Sequence, residues 1–506
     1  MRRINWRRMF PYLGLALACA LASGVYLWAS SRLEGPGFPL DDAWIHQTYA
    51  RNLARWGQWS FLRDQPSAGS TAPLWSALLA VGYGLNIDRY VWAYGLGIAS
   101  LFGAALAGQT LARRLLPGDV AGESIPWVGL FLAGEWHLVW AGVSGMETTA
   151  FAALALAALA CMAAARGRGW GGVGLLIGSG VWLRPDALTL LGPALWVIWL
   201  TAPDQKQRAR ALGWLAGGFL LLFGPYLLFN GWTQGSFWPN TFYAKQAEYA
   251  ALRQSPFIER YLSLLKLPLV GGGLFLLPGF AAYLWSAFRR RDWVGVGAAL
   301  WFLGFTGLYA ERLPVTYQYG RYLIPAMPVY FVLGLVGLRA ILTAVAERLS
   351  PAGEVGAGWK ARLGQAFAKA WVFSLVGVWL GFYAIVAGFY ARDVAIIETE
   401  MVATARWLAA HTPPDALLAV HDIGAVGYFS GRRMVDLAGL ISPEIIPIIR
   451  DEEALARRLD ALGVDYLVTL KGWYTHLPEG KEVVFQSGGR AAVEAGGENM
   501  WVYRWK

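Results

Sequence analysis

Two adjacent carboxylates follow the first apolar run of the chain, in Pro39-Leu40-Asp41-Asp42-Ala43-Trp44. Charged side chains beside lipid are costly to keep. A vicinal pair held there can divide a task. One carboxylate takes the proton of an attacking hydroxyl, and its neighbour tunes it or holds a cation. A structural role competes for one of the two, as the cap of a helix over residues 43–56. Capping by one leaves the other free for chemistry.

Other polar residues of useful type lie further on. Glu147, in Ser144-Gly145-Met146-Glu147-Thr148, opens an apolar run, where a first-turn acid is favoured by the helix dipole. Arg184 and Asp186 flank Pro185 at a break between two short apolar stretches. They suit a structural ion pair, and the arginine equally suits a lipid phosphate. Asn240, Tyr243 and Lys245 share the segment Pro239-Asn240-Thr241-Phe242-Tyr243-Ala244-Lys245. Interfacial anchoring by Tyr243 and snorkelling by Lys245 compete there with a place beside a phosphate. Arg321 enters a later run next to Tyr319 and Tyr322, and His421, Asp422 and Asp436 are turn-type residues near the C-terminus. Carboxylates with dispersed Arg and Lys at a membrane surface suit displacement of a lipid phosphate by a hydroxyl. A carboxylate takes the acceptor proton, and cations or a divalent metal stabilise the departing phosphate.

Such residues need a membrane scaffold. The chain has 506 residues, 56% hydrophobic and only 15% charged, with mean hydropathy +0.41. That composition is the signature of a polytopic membrane protein. Apolar runs of about 18 or more residues recur between Pro11 and Tyr390. The net charge of +10 sits largely in clusters beside these runs, which reports topology, and no nucleic-acid-binding motif is present. Cys19 and Cys161 fall in apolar runs, and His46, His137, His411, His421 and His476 show no zinc-ligand spacing.

Charge parity orients the scaffold. Arg2, Arg3, Arg7 and Arg8 place the N-terminus in the cytoplasm as a retained anchor, so the first span delivers Asp41 and Asp42 to the outer face. If every apolar run crossed, Arg113-Arg114, Arg166 with Arg168, Lys206 with Arg208 and Arg210, and Arg289-Arg290-Arg291 would all lie outside. Reading the short run 72–86 as a helix on the outer surface repairs all four violations. About eleven spans then remain. The loop from Glu347 to Arg362 becomes cytoplasmic, and residues 392–506 become extracytoplasmic. The same assignment gathers the acidic pair, Glu147, Arg184, Asp186, Asn240, Tyr243, Lys245, Arg321 and the C-terminal segment on the outer face. An outer working face, with no Walker or GxGxxG pattern in a strand–helix context, argues against a nucleotide-sugar donor and against ATP chemistry.

Two regions result: a transmembrane catalytic region, 1–391, with surface helices at about 42–56 and 72–86, and a soluble segment, 392–506. In the latter a helix is expected over 394–410, strands at 417–420, 434–437, 465–469, 483–485, 491–493 and 500–503, and an amphipathic helix over 451–462. The alternation predicts a small α/β domain.

The set of motifs resembles the GT-C membrane glycosyltransferases. It is most similar to bacterial arabinofuranosyltransferases of the mycobacterial terminal β-(1→2) type. The resemblance rests on Asp41-Asp42-Ala43-Trp44-Ile45 with Tyr49-Ala50-Arg51-Asn52-Leu53, Gly69-Ser70-Thr71-Ala72-Pro73-Leu74-Trp75, the segments around Glu147, Arg184 and Lys245, and Asp422-Ile423-Gly424-Ala425-Val426-Gly427-Tyr428. It runs from about residue 38 to 445. It implies an inverting transferase of the bacterial inner membrane, using a decaprenyl- or undecaprenyl-phosphate pentose-type donor and a cell-envelope glycan or lipid acceptor. Asp41 or Asp42 would be the base, with Asp41 favoured, and Glu147 the second acidic site. Arg184, Asp186, Asn240, Tyr243, Lys245, Arg321, His421 and Asp422 would contact donor phosphate or substrate, with a divalent cation as the one cofactor considered. The rival classes are a transporter or flippase of lipid-linked sugars, which needs polar residues through the bilayer midplane, and a non-catalytic glycan-binding scaffold.

Overall fold

The computed structural model describes residues 6–116, 125–348 and 358–506. Arg2, Arg3 and most of the loop 347–362 lie outside the described residues. Helix α1 (Trp6–Ser31) leads into α2 (Asp42–Trp56), and a short hairpin, β1 (Ser60–Leu62) and β2 (Gln65–Pro66), leads to α3 (Pro73–Gly84). α2 and α3 pack against each other. Asp41 occupies the cap position of α2, yet its side chain makes no bond to that helix.

α4 (Arg89–Leu115) begins the main bundle, and α5 (Trp127–Ala133) and α6 (Trp136–Gly142) divide the next apolar run at Gly134-Glu135. Hydropathy alone reads residues 125–143 as one apolar run, but the chain forms two helices there. The break has a local cause: the Glu135 carboxylate accepts from the backbone N–H of His137 at 3.0 Å and of Leu138 at 3.2 Å, capping α6 from inside the run. α7 (Thr148–Ala164), α8 (Gly169–Leu183) and α9 (Leu191–Thr201) are short and apolar, with a 3₁₀ turn at Pro185–Leu190. α10 (Gln205–Gln234), α11 (Asn240–Glu248), α12 (Phe257–Leu265), α13 (Leu277–Arg290), α14 (Trp293–Arg312) and α15 (Met327–Arg348) follow. Seven helices among the described residues are long and apolar enough to cross a membrane. Small residues set their spacing, as expected where helices pack within lipid. A Cβ at Gly97 of α4 would stand 1.7 Å from the Gly142 carbonyl, so the two backbones touch there.

The last membrane helix does not stop at the domain border. α16 (Gly358–Ile397) continues through a π turn (Glu398–Val402) into α17 (Ala403–His411). Beyond it, five strands form one sheet in the order β4-β3-β5-β7-β6. β3 (Leu417–Val420), β4 (Arg433–Asp436) and β5 (Tyr466–Leu470) are parallel, with α18 (Ile423–Phe429) and α19 (Glu452–Leu462) as crossovers. β6 (Glu482–Gln486) and β7 (Met500–Arg504) complete an antiparallel edge. The segment 491–493, expected as an edge strand, lies inside a short helix, α20 (Arg490–Glu494). Arg-Ala-Ala-Val-Glu is rich in helix formers, and local propensity wins where no strand partner is available.

The soluble domain is clamped to the bundle. Buried Glu400, in the π turn, accepts from Met500 N at 2.9 Å and from Asn499 Nδ2 at 3.0 Å, and also from the Ser487 hydroxyl. On the other side, Arg51 of α2 donates to the Tyr428 carbonyl at 2.7 Å and lies over that ring at 4.5 Å. The Tyr428 hydroxyl meets Tyr83 of α3 at 2.9 Å.

Candidate active site

Asp42 starts α2 at the end of the bundle that carries the soluble domain, and two cations face it. Arg321 Nη1 lies 2.8 Å and Lys245 Nζ 3.8 Å from Asp42 Oδ2. Tyr322 ties the two cations together, accepting from Lys245 at 3.0 Å and from Arg321 at 2.9 Å. The backbone that presents Arg321 is strained: Gln318, Tyr319 and Gly320 have φ of +50°, +59° and +66°. Left-handed backbone at non-glycine positions persists only when its surroundings enforce it. Here the Tyr319 hydroxyl is anchored on Asp393 at 3.1 Å. Burial alone would raise the Asp42 carboxyl, but Arg321 and Lys245 outweigh it and hold the group well below the usual carboxylate range.

A second polar chain runs from α2 into the bundle. His46 stands one turn after Asp42, on the same helix face. Its Nδ1 is bonded to Ser76 at 3.0 Å and Ser70 at 3.2 Å, and its Nε2 lies 3.6 Å from Glu147 Oε2. Burial lowers the His46 pKa, which favours the neutral ring. Glu147 then pairs with Arg184 at 3.2 Å, and Arg184 with Asp186 at 2.8 Å and Tyr309 at 2.8 Å. Tyr309 closes the loop with a hydrogen bond to Asp186. Glu147 Oε2 has no hydrogen-bond partner within the protein.

Both chains border one cavity of about 340 Å³, whose walls also carry Trp238, Phe242, Leu308 and Leu313. Its lining is mostly apolar, with the cations and carboxylates gathered among those side chains. A second cavity of about 280 Å³ lies on the other side of Asp42, Lys245 and Arg321, against the soluble domain.

Asp41 points the other way. Its Oδ2 accepts from Gly424 N at 2.7 Å and its Oδ1 from Ala425 N at 2.8 Å, so the carboxylate caps α18 of the soluble domain, 383 residues along the chain. Burial and the nearby Asp422 charge push the Asp41 carboxyl up, against those two backbone bonds. The expected capping role therefore exists, but on a distant helix, and the carboxylate that faces the cations is Asp42. His421 lies 3.5 Å from Glu248 and 3.0 Å from the Tyr474 hydroxyl. Asp422 borders the second cavity with it. Asn240 and Tyr243 are on neither cavity wall: Asn240 holds the start of α11 through its backbone bond to Gln234, and Tyr243 is exposed against Phe242. Among the described residues no group of three or more His, Cys, Asp and Glu is arranged to hold a metal ion.

His46, Tyr309, Glu248 and Trp473 join the site beyond the residues expected there. His46 alone carried a signal, its spacing of four from Asp42 on an amphipathic helix. The others meet the site only through tertiary packing.

The backbone as a whole superposes on solved membrane enzymes. ArnT from Cupriavidus metallidurans bound to undecaprenyl phosphate aligns with a TM-score of 0.61 at 16% identity, covering 97% of both chains. The oligosaccharyltransferase AglB from Archaeoglobus fulgidus, in complex with an inhibitory peptide and a dolichol-phosphate, aligns at 0.60 and 12% identity over 92% of this chain and 70% of that one. The chain has the GT-C fold. Arabinofuranosyltransferase AftD from Mycobacteria aligns at 0.51 and 15% identity over 96% of this chain and 41% of its own. No curated protein matches by sequence. Residues 392–503, the soluble part of this GT-C chain, match a domain family of unknown function, DUF8728.

Proposed function

We propose that the protein is an inverting glycosyltransferase. It moves a sugar from a polyprenyl-phosphate donor to a hydroxyl of a cell-envelope glycan or lipid, on the outer face of a bacterial cell membrane. The observation that carries this reading is the position of Asp42, between two cavities and beside two cations. The apolar cavity suits a lipid phosphate, with Arg321 and Lys245 as its charge partners. The acceptor enters from the opposite cavity. Its oxygen attacks the anomeric carbon while Asp42 takes the hydroxyl proton. The bond from that carbon to the phosphate oxygen breaks with inversion, and the phosphate leaves with the electron pair, neutralised by Arg321 and Lys245. Two fold relatives solved in complex with undecaprenyl phosphate and with a dolichol-phosphate support a donor of this class. An arabinofuranose-like pentose is the favoured sugar on the sequence resemblance.

The cations also time the chemistry. As long as they face Asp42, its carboxylate is a weak base. A donor phosphate that claims Arg321 and Lys245 relieves that stabilisation and adds its own negative charge, and both effects raise the Asp42 pKa. The base is armed by the substrate it serves. Reconstituted protein supplied with undecaprenyl-phosphate-linked arabinofuranose and an envelope acceptor fraction tests the proposal. Transfer by the wild type, lost in Asp42→Asn with the fold intact, is the expected result. Full turnover in Asp42→Asn removes the mechanism.

A further inference from the structure

The cavity against the soluble domain has features that a donor lipid does not explain. It lies at the carboxyl ends of the parallel strands β3 and β5. From β3 the chain crosses to β4 on one side, then returns past β3 to β5 on the other. The β3–β5 border is therefore the topological switch point, where open α/β sheets bind ligands. His421 and Asp422 follow β3 there, and Trp473 ends the turn after β5. The His421 and Trp473 rings pack with centroids 3.8 Å apart, and Trp473 keeps 40% of its surface exposed. A tryptophan fixed from behind and open in front presents a flat apolar face in a cavity that also carries charged side chains, the surface that suits the C–H face of a sugar ring.

A polar group waits beside it. Asp422 Oδ2 is buried and has no hydrogen-bond partner within the protein. Such a group calls for a donor, and a ligand hydroxyl supplies one. The charge balance narrows the class. Asp41, Asp42, Glu248 and Asp422 all border this cavity. Of its cations, Arg321 and Lys245 are turned to Asp42, and His421 pairs with Glu248. An anionic ligand would meet mostly carboxylates here.

We propose that this cavity is the acceptor site and that its ligand is a neutral carbohydrate, with its ring stacked on Trp473 and a ring hydroxyl donating to Asp422. The matched domain family thereby gains a role as the acceptor-recognising half of the enzyme. The assignment rests on the transferase reading above, and the two are tested separately.

Purified full-length protein in lipid nanodiscs is titrated with methyl glycosides of arabinofuranose, mannose, galactose and glucose, followed by saturation-transfer NMR. Methyl glucuronide and the 6-phosphate of methyl glucoside serve as anionic counterparts. At least one neutral glycoside binds, and its affinity falls at least about tenfold in both Trp473→Ala and Asp422→Asn. Binding of no neutral glycoside, unchanged binding in both variants, or tighter binding of the anionic sugars overturns the proposal. The donor side is read by the thermal shift on adding undecaprenyl phosphate, which Trp473→Ala leaves intact. Glycoside binding with no response to undecaprenyl phosphate keeps this site and removes the donor reading. The reverse result removes this site and keeps the donor reading.

Discussion

Asp42 and Asp41 are chemically identical neighbours with unrelated surroundings. Asp42 meets two cations at a cavity, and Asp41 gives both oxygens to backbone N–H groups. Replacing Asp42 with Asn keeps its size and removes the proton acceptor, so turnover falls by roughly 10²–10⁴, while undecaprenyl phosphate still raises the unfolding temperature. The pH profile carries a second signature. In the free enzyme Asp42 is held low by Arg321 and Lys245, so the acid limb of kcat/KM lies below the usual carboxylate range. In the donor complex the same cations are shared with phosphate, so the acid limb of kcat moves to higher pH. Equal acid limbs in the two profiles would exclude arming by the donor. Arg184 belongs to the framework of the site. Its removal in Arg184→Ala leaves buried Glu147 and half-buried Asp186 without their cation, which costs about 3–5 kcal/mol in a thermal unfolding experiment, chiefly through Glu147. The charged residues were legible in the sequence because charge beside lipid is rare. Which of two adjacent carboxylates faces the ligand was not, since that depends on α18, a helix 383 residues away.

At the scale of elements, α18 is the joint between the two halves. Gly424 sits against Asp41 so closely that a Cβ would lie 2.1 Å from the Asp41 carbonyl oxygen. Gly424→Val forces α18 off α2, and limited proteolysis then releases the soluble domain faster than in the wild type. The joint also responds to pH. Burial opposes the His421 charge, but Glu248, Asp422 and Asp436 outweigh it and raise its pKa. Stability from a raised group is complete below its unfolded value and is lost as pH rises through the folded value. The carboxyls of Asp422 and, to about 6, Asp436 are themselves pushed up by burial, and their titration has the same sign. The unfolding temperature therefore falls from pH 5.5 to 8.5, and His421→Gln flattens part of that slope. A flat wild-type profile would remove this account. The parallel strands were readable as short apolar runs between turn residues. The break at Gly134-Glu135 was not, because hydropathy counts a capping glutamate as one charge in a run and says nothing of the N–H groups it takes.

At the scale of the molecule, the GT-C fold was legible from the run of apolar segments and the motif set together. Orientation in the membrane rests on charge parity. Glu479→Cys, placed in an exposed turn of the soluble domain in a chain lacking Cys161, is labelled by a membrane-impermeant maleimide in intact spheroplasts if the domain is extracytoplasmic. Labelling only after lysis reverses the orientation and the outer-face proposal with it. One feature of the scaffold bears on every distance at the site. The helix from Arg362 to His411 is unbroken over 50 residues, so it acts as a rigid shaft with a fixed angular phase between bundle and soluble domain. Adding a single alanine after Ala391 would advance that shaft by about 100° and about 1.5 Å. Trp473 and Asp422 would swing away from Asp42, and Asp393 would leave Tyr319 and Trp140 of the bundle. Acceptor and donor would then be held by the same chain and never meet.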